Sequence, residues 1–290
     1  MSYPTVAIII PSLNSLIIDQ IVRMILAQDK AEFIEEVVIV GKDDFGLLAK
    51  QKTPIVKYID TGTAVPPATA RNIGIQATAS DLLIFLDSDC IPQDKWLSEH
   101  LTAHQTGHSV VGGGVIPDGV NYWALVYNLT MFHEYFSTAE PGSRPFLPTL
   151  NLSVERDVVQ SVGLLDETLP RSQDLDWTTR MNKVGFQPYF WPTAVIMHQH
   201  NRLTGKAVWQ DCARSGRYAR VARLQHQDTL KTPVILRSRH LLLILSPLIA
   251  SAITLKIIKK RPFILRKHWQ TLPAIFMSKL AWCWGASRRY

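Results

Sequence analysis

The chain has 290 residues, 47% of them hydrophobic and 19% charged, and a net charge of +7. That balance excludes a disordered chain and leaves room for one large domain or one domain with an appendage. The three cysteines, Cys90, Cys212 and Cys283, are odd in number and match no zinc spacing; this excludes a disulfide framework and points to a reducing compartment.

The opening MSYPTVAIII lacks a basic n-region and a cleavage site, so no signal peptide is expected. Residues 5–10 read as an apolar strand, and Pro11, Ser12 and Asn14 follow it in a turn. Helical spacing over 16–28 puts Ile17, Ile21, Met24 and Ile25 on one face. Strands are predicted at 37–40 and 55–59, a helix at 68–77, and a buried strand at 82–86. That last strand runs straight into Asp87-Ser88-Asp89. Packing gives a central strand no reason to end in two acids, because unpaired buried carboxylates are costly. Two readings fit: a turn with solvated acids, or oxygen ligands for Mg²⁺ or Mn²⁺ carrying a phosphorylated substrate at the sheet's C-terminal edge.

Strand–helix alternation over the first 110 residues predicts a doubly wound, mostly parallel α/β sheet with helices on both faces. Neither Gly-x-Gly-x-x-Gly nor a P-loop pattern occurs, which argues against a dinucleotide oxidoreductase and a P-loop NTPase. Further on, 96–105 reads as a helix and 109–115 as a strand. Gly112, Gly113 and Gly114 in that strand suit a bulge or the close approach of a ligand. Residues 121–136 read as a helix or a lid, and 140–148, broken by three prolines, as a loop. Helices are predicted at 155–162, at 174–184 (stopping at Gly185) and at 207–225, the last carrying Arg214, Arg217, Arg220 and Arg223.

Four ordered segments carry a family signal. They are VAIIIPSLN, ATARNIGIQATASDLLIFLDSD, TLNLSVERDVVQSVGLLDET and SQDLDWTTRMNKVGF. Together, over about residues 5–225, they resemble the inverting family-2 glycosyltransferases of GT-A fold. The resemblance implies a nucleotide-sugar donor, a divalent cation (Mn²⁺ or Mg²⁺) and transfer of a single sugar. It implies that Asp89 ligates the metal, while Asp87 touches the donor ribose or shares the metal. Ser88 lies between them, and Pro11, Ser12 and Asn14 line the donor edge. Arg71 would meet the diphosphate, and Asn72 would cap or bridge locally. His198 matches the histidine that completes the cation site better than His200 does. Asp174 falls on the family's catalytic base, a role typically worth ~10²–10⁴ in rate. Gln173 stands where Glu is usual, so Asp176 is a second candidate base, with helix-dipole stabilisation as its alternative reading. The family's base-reading acid is displaced here to Asp43, within Gly41-Lys42-Asp43-Asp44. Asn151 would shape the acceptor strand.

Twelve Lys and Arg residues lie between Lys231 and Arg289, without one acid. Such a block suits a polyanionic surface, and its apolar content favours lipid over nucleic acid. Residues 240–255 would make a helix of ~24 Å, shorter than a ~30 Å hydrocarbon core and interrupted by Pro247. Residues 269–284 add a second apolar stretch. Interfacial helices on an anionic leaflet are expected, with buried packing helices as the alternative. The sequence therefore predicts a GT-A domain over 1–225 and a basic, apolar, membrane-associating helical extension over 226–290. The expected activity is transfer to a lipid-linked or membrane-proximal acceptor at a cytoplasmic membrane face, in polysaccharide or glycolipid assembly, with no nucleic-acid partner. Rival readings are a nucleotidyltransferase of similar fold, a membrane-bound nucleic-acid-binding protein, and a catalytically idle scaffold.

Overall fold

The computed structural model describes residues 4–51 and 53–289. The first three residues of the leader reading, and Tyr290 of the C-terminal reading, lie outside them. In chain order the elements are β1 (Val6–Leu13), α1 (Ile18–Leu26), β2 (Ile34–Lys42), β3 (Val56–Asp60), α2 (Pro67–Gln76), β4 (Leu82–Leu86), β5 (Cys90–Pro92), α3 (Trp96–Gln105) and β6 (Val110–Val115). They continue with α4 (Tyr122–Met131), β7 (Gly142–Ser143), β8 (Asn151–Glu155), α5 (Arg156–Val162), α6 (Gln173–Lys183), β9 (Tyr189–His198) and α7 (Gly205–Gln225). The last four are α8 (Arg239–Ile244), α9 (Ser246–Lys260), α10 (Pro262–Lys267) and α11 (Leu272–Ser287).

The chain divides into two compact units, one of residues 1–116 and 137–198, the other of 117–136 and 199–290. The boundary read from sequence at 225/226 falls inside the second unit. The first unit is built on a nine-stranded sheet with the order β3-β2-β1-β4-β8-β6-β9-β5, and β7 pairs with β9. β3, β2, β1 and β4 are parallel, as are β6 and β9, whereas β8, β5 and β7 pair antiparallel. Fully apolar runs make β1 and β4 central strands: Val6–Ile10 and Leu82–Leu86 are buried throughout. At β6 the glycine run produces the expected irregularity. The register with β9 shifts between Gly113 and Gly114, and a Cβ on Gly113 would stand 2.2 Å from both the Ala194 carbonyl and Asn151 Nδ2.

A buried polar seam ties α3 to β8. Trp96, His100 and His104 recur every four residues on the helix, and Asn151, Ser153 and Glu155 alternate along the strand. Asn151 Oδ1 accepts from Trp96 Nε1 (2.8 Å) and sits 2.9 Å from His100 Nε2; its Nδ2 donates to the carbonyls of Ala194 (2.8 Å) and Gly114 (3.3 Å). An indole can only donate, so the Asn151 oxygen accepts and His100 Nε2 carries a proton. His100 Nδ1 is then free to accept from the Ser153 hydroxyl at 2.8 Å. Burial lowers the His100 pKa to about 3 and keeps the ring neutral.

In the second unit α7 and α11 meet backbone to backbone. A Cβ on Gly285 would lie 1.8 Å from the Ala213 carbonyl, and one on Gly216 would lie 2.0 Å from that of Trp282. The apolar stretch 269–284 thus becomes a packing helix, with Ile275, Ala281 and Cys283 fully buried. The stretch 240–255 divides into α8 and α9 just before Pro247, and it leaves Leu241, Leu243, Ile244, Leu248 and Leu255 exposed. Among the described residues no helix is long and apolar enough to cross a membrane.

Candidate active site

The C-terminal ends of β1, β2 and β4 form the edge where ligands bind in an open α/β sheet. Ser12 pairs with Gly41 in the β1–β2 register. Gly41 takes φ +140°, and a Cβ there would sit 1.8 Å from the Ser12 carbonyl, so only glycine fits. Asn14, at φ +53°, locks onto Asp44: its Nδ2 donates to Asp44 Oδ2 and its Oδ1 accepts the Asp44 N–H, both at 2.8 Å. Lys42 Nζ adds a 3.2 Å ion pair to Asp44. Asn14 and then Lys42 hold the Asp44 carboxyl below the usual range. Asp43 is used differently. Its Oδ2 accepts the Leu48 N–H at 2.7 Å, while its buried Oδ1 has no partner among the described residues. The Ser12 hydroxyl is likewise buried and unpartnered. Pro11 stands opposite Val40 in the β1–β2 register.

Arg71 on α2 is only 3% exposed and pairs with Asp87 Oδ1 at 2.5 Å. Its Nε and Nη1 are buried without partners. A guanidinium with two idle donors beside a carboxylate is a ready anion clamp. Asn72 does not cap locally. It bridges α2 to the loop before α6, donating to the Leu165 carbonyl (2.9 Å) and Glu167 Oε1 (2.8 Å) and accepting the Leu165 N–H (3.0 Å). Thr69 reaches the other Glu167 oxygen at 2.8 Å. The helix that carries Arg71 is therefore pinned from outside.

Ser88 is held by Ser15, whose hydroxyl donates to its carbonyl at 2.5 Å. Asp89 turns away from Asp87 toward β9, where its Oδ2 lies 3.5 Å from His198 Nε2. Cys90 Sγ lies 3.7 Å from Asp89 Oδ1, and ligand atoms of Asp89, Cys90 and His198 all fall within 4.8 Å of one another. A carboxylate and an imidazole at this edge are donors suited to a divalent cation, with the idle donors of Arg71 placed to share an anionic ligand's charge. Burial, then Asp89 and Asp87, push the Cys90 thiol up. His200, by contrast, belongs to the second unit, where its ring meets Tyr127 edge-on at 4.6 Å.

Asp174 is the second residue of α6, which follows Ser172 in a left-handed turn at φ +64°. It is half-buried and accepts the Leu175 N–H at 2.8 Å. Burial raises its carboxyl above the ordinary aspartate range; the Leu175 N–H and Arg71 pull it back, and Asp87 adds to the rise. Asp174 thus shares an electrostatic environment with the Arg71–Asp87 pair. Asp176 is occupied elsewhere, in a 2.9 Å ion pair with Arg180, which also donates to the carbonyls of Val162 and Leu164. Its role is to hold α6 against the end of α5. Sequence reasoning passed over Cys90 and Ser15, because neither carries a local pattern of its own.

Known proteins can now be set beside this geometry. A model described as Glycosyl transferase family 2 matches residues 7–163. Glycosyltransferase AglE of Haloferax volcanii is 33% identical over 122 residues, 42% of this chain and 40% of AglE. A pre-mycofactocin glycosyltransferase of Mycobacterium tuberculosis is 29% identical over 142 residues, 46% of this chain and 30% of that protein. The chain thus spans less than half the length of these curated relatives. Among solved structures, a mannosyltransferase of Pyrobaculum calidifontis, in complex with GDP-Man and Mn²⁺, aligns with a TM-score of 0.62 at 14% identity, covering 96% of this chain and 86% of that one. GalNAc-T7 with UDP, GalNAc and Mn²⁺ aligns with a TM-score of 0.56 at 15% identity, covering 80% and 52%. At such identities the structures establish the shared GT-A fold.

Proposed function

The chain belongs to glycosyl transferase family 2, and from that premise we propose that it is a metal-dependent, inverting enzyme moving one sugar from a nucleotide-sugar donor. The observation that carries this reading is the buried Arg71–Asp87 pair, with two unpartnered guanidinium donors, which shares an electrostatic environment with Asp174 and adjoins the Asp89–His198 pair. Arg71 offers its idle Nε and Nη1 to the leaving diphosphate. Asp89 and His198 would hold the cation, which supplies charge neutralisation at the leaving oxygens. Asp87 fixes Arg71 by its ion pair and would meet the donor ribose. Asp43 presents one free acceptor oxygen to the nucleobase. Asp174 takes the proton of the attacking acceptor hydroxyl, and its raised carboxyl makes it a stronger base than a solvated aspartate. Two structural neighbours hold GDP-Man or UDP together with Mn²⁺, in keeping with this assignment.

The proposal extends to the acceptor, a lipid-linked or membrane-proximal glycan in polysaccharide or glycolipid assembly, met at a cytoplasmic membrane face. Leu241, Leu243, Ile244, Leu248 and Leu255 are exposed within an acid-free, basic stretch, which is the composition of a surface that seats on anionic lipid. The free cysteines agree with a reducing compartment.

The deciding experiment is a panel of nucleotide sugars with Mn²⁺, read for donor turnover and for the anomeric configuration of the product by NMR. Turnover with a UDP- or GDP-sugar and an inverted product supports the reading. If no donor turns over and Asp89→Ala binds nucleotide as tightly as wild type, the assignment fails.

A further inference from the structure

Cys90 is fully buried and stands directly opposite His198 where β5 pairs antiparallel with β9. Directly opposed residues carry their side chains on the same face of the sheet. Asp89 faces both of them, one oxygen 3.5 Å from His198 Nε2 and the other 3.7 Å from Cys90 Sγ. The two separations run from different oxygens of one carboxylate, and donor atoms of all three residues fall within 4.8 Å of one another, close enough for one ion to gather them with small side-chain movements. A thiol is also the softest donor a protein offers, and soft donors select zinc-class cations over Mg²⁺.

We infer that Asp89, Cys90 and His198 form a site for a thiophilic, tetrahedral cation of the zinc class, which displaces the hard cation from Asp89 and His198. With Mg²⁺ the thiol stays protonated and donates to Asp89. With a thiophilic ion the S–H bond breaks, a sulfur–metal bond forms and the proton passes to water; nothing is oxidised or reduced. The inference goes beyond sugar transfer and needs no nucleotide.

The test uses the full chain without nucleotide and titrates Cd²⁺, whose bond to a thiolate absorbs in the near ultraviolet. Wild type develops the absorption band and Cys90→Ser does not. Asp89→Asn and His198→Ala each weaken Cd²⁺ binding about tenfold or more, since even partners outside the ligand shell change affinity by roughly 10–100-fold. A band absent from wild type overturns the inference. So does a band retained in Cys90→Ser, which would then arise from Cys212 or Cys283. If circular dichroism shows that Cys90→Ser does not fold, Asp89→Asn decides: its side chain is 36% exposed, and unchanged Cd²⁺ affinity there overturns the site. Nucleotide binding by wild type with Mn²⁺, measured separately, reports on the glycosyl-transfer reading, so either idea can fail while the other stands.

Discussion

Replacing Asn151 with Ala tests the scaffold beneath the site. Asn151 is 1% exposed and satisfies two buried donors, the Trp96 indole and the His100 ring, while donating to two carbonyls. Alanine abandons both donors in an interior that excludes water, since Trp96 and His100 are each fully buried. An unsatisfied buried donor costs about 1–3 kcal/mol, so two cost roughly 2–6 kcal/mol. The carbonyls each keep a second lone pair and add little. Against a total stability of about 5–15 kcal/mol, a loss near ~4 kcal/mol leaves a folded but fragile protein. At about 2–4 °C per kcal/mol for a chain somewhat smaller than this one, melting should fall by roughly 8–16 °C. Urea unfolding followed by tryptophan fluorescence gives the free energy, and scanning fluorimetry gives the shift in Tm. Asn151→Asp should also be severely destabilised, because it keeps the acceptor but points a carboxylate at two carbonyls. A loss below about 1 kcal/mol in the alanine variant would mean that the seam does not bear on stability as argued.

Asp174→Asn should lower kcat by ~10²–10⁴ while leaving melting unchanged or higher, because a carboxylate raised by burial is removed; a variant that loses stability together with activity contradicts the base assignment. For wild type, turnover should decline as pH falls through the raised Asp174 pKa, so the acid limb lies above that of an ordinary aspartate, and a limb at or below the usual range refutes it. Arg71→Ala should weaken nucleotide diphosphate binding by about 10–100-fold, the equivalent of ~1.5–3 kcal/mol for a hydrogen bond to a charged group; calorimetry showing unchanged affinity removes Arg71 from the donor site. His100 is neutral when folded, with a pKa near 3 against 6.5 when free. The unfolded chain therefore binds the extra proton first, and stability should fall as pH drops from about 6.5 toward 3. A urea midpoint that stays flat from pH 6.5 to 4 would show the ring to be otherwise placed.

Local pattern carried the sequence reading a long way. Residues 82–86 and 96–105 are β4 and α3 as expected, because a short apolar run and a four-residue recurrence are self-contained signals. Asp174 and Arg71 could be named as site candidates from the sequence, though not the unpartnered guanidinium donors of Arg71. Pairing between distant segments was not legible. β5 is three residues long and exists through β9, so no window around Cys90 reveals that it faces His198. In the same way Asp43 and Asp44 look equivalent in sequence; only the reach of Asn14, thirty residues earlier, shows which one is already engaged. The 225/226 boundary followed a composition change, whereas the second unit is assembled by packing that draws α4 and α7 into one core with α11.

The interleaved order of the sheet also governs how the chain is made. β4 ends at Leu86, but its neighbour β8 ends at Glu155, about 70 residues later. At about 5–20 residues per second, a ribosome needs roughly 4–14 s to deliver it. For that interval LLIFL presents an open, wholly apolar edge on a nascent four-stranded parallel platform, the kind of edge that recruits other chains. Heterologous production should therefore be limited by chaperone supply during synthesis, even where the finished protein is stable.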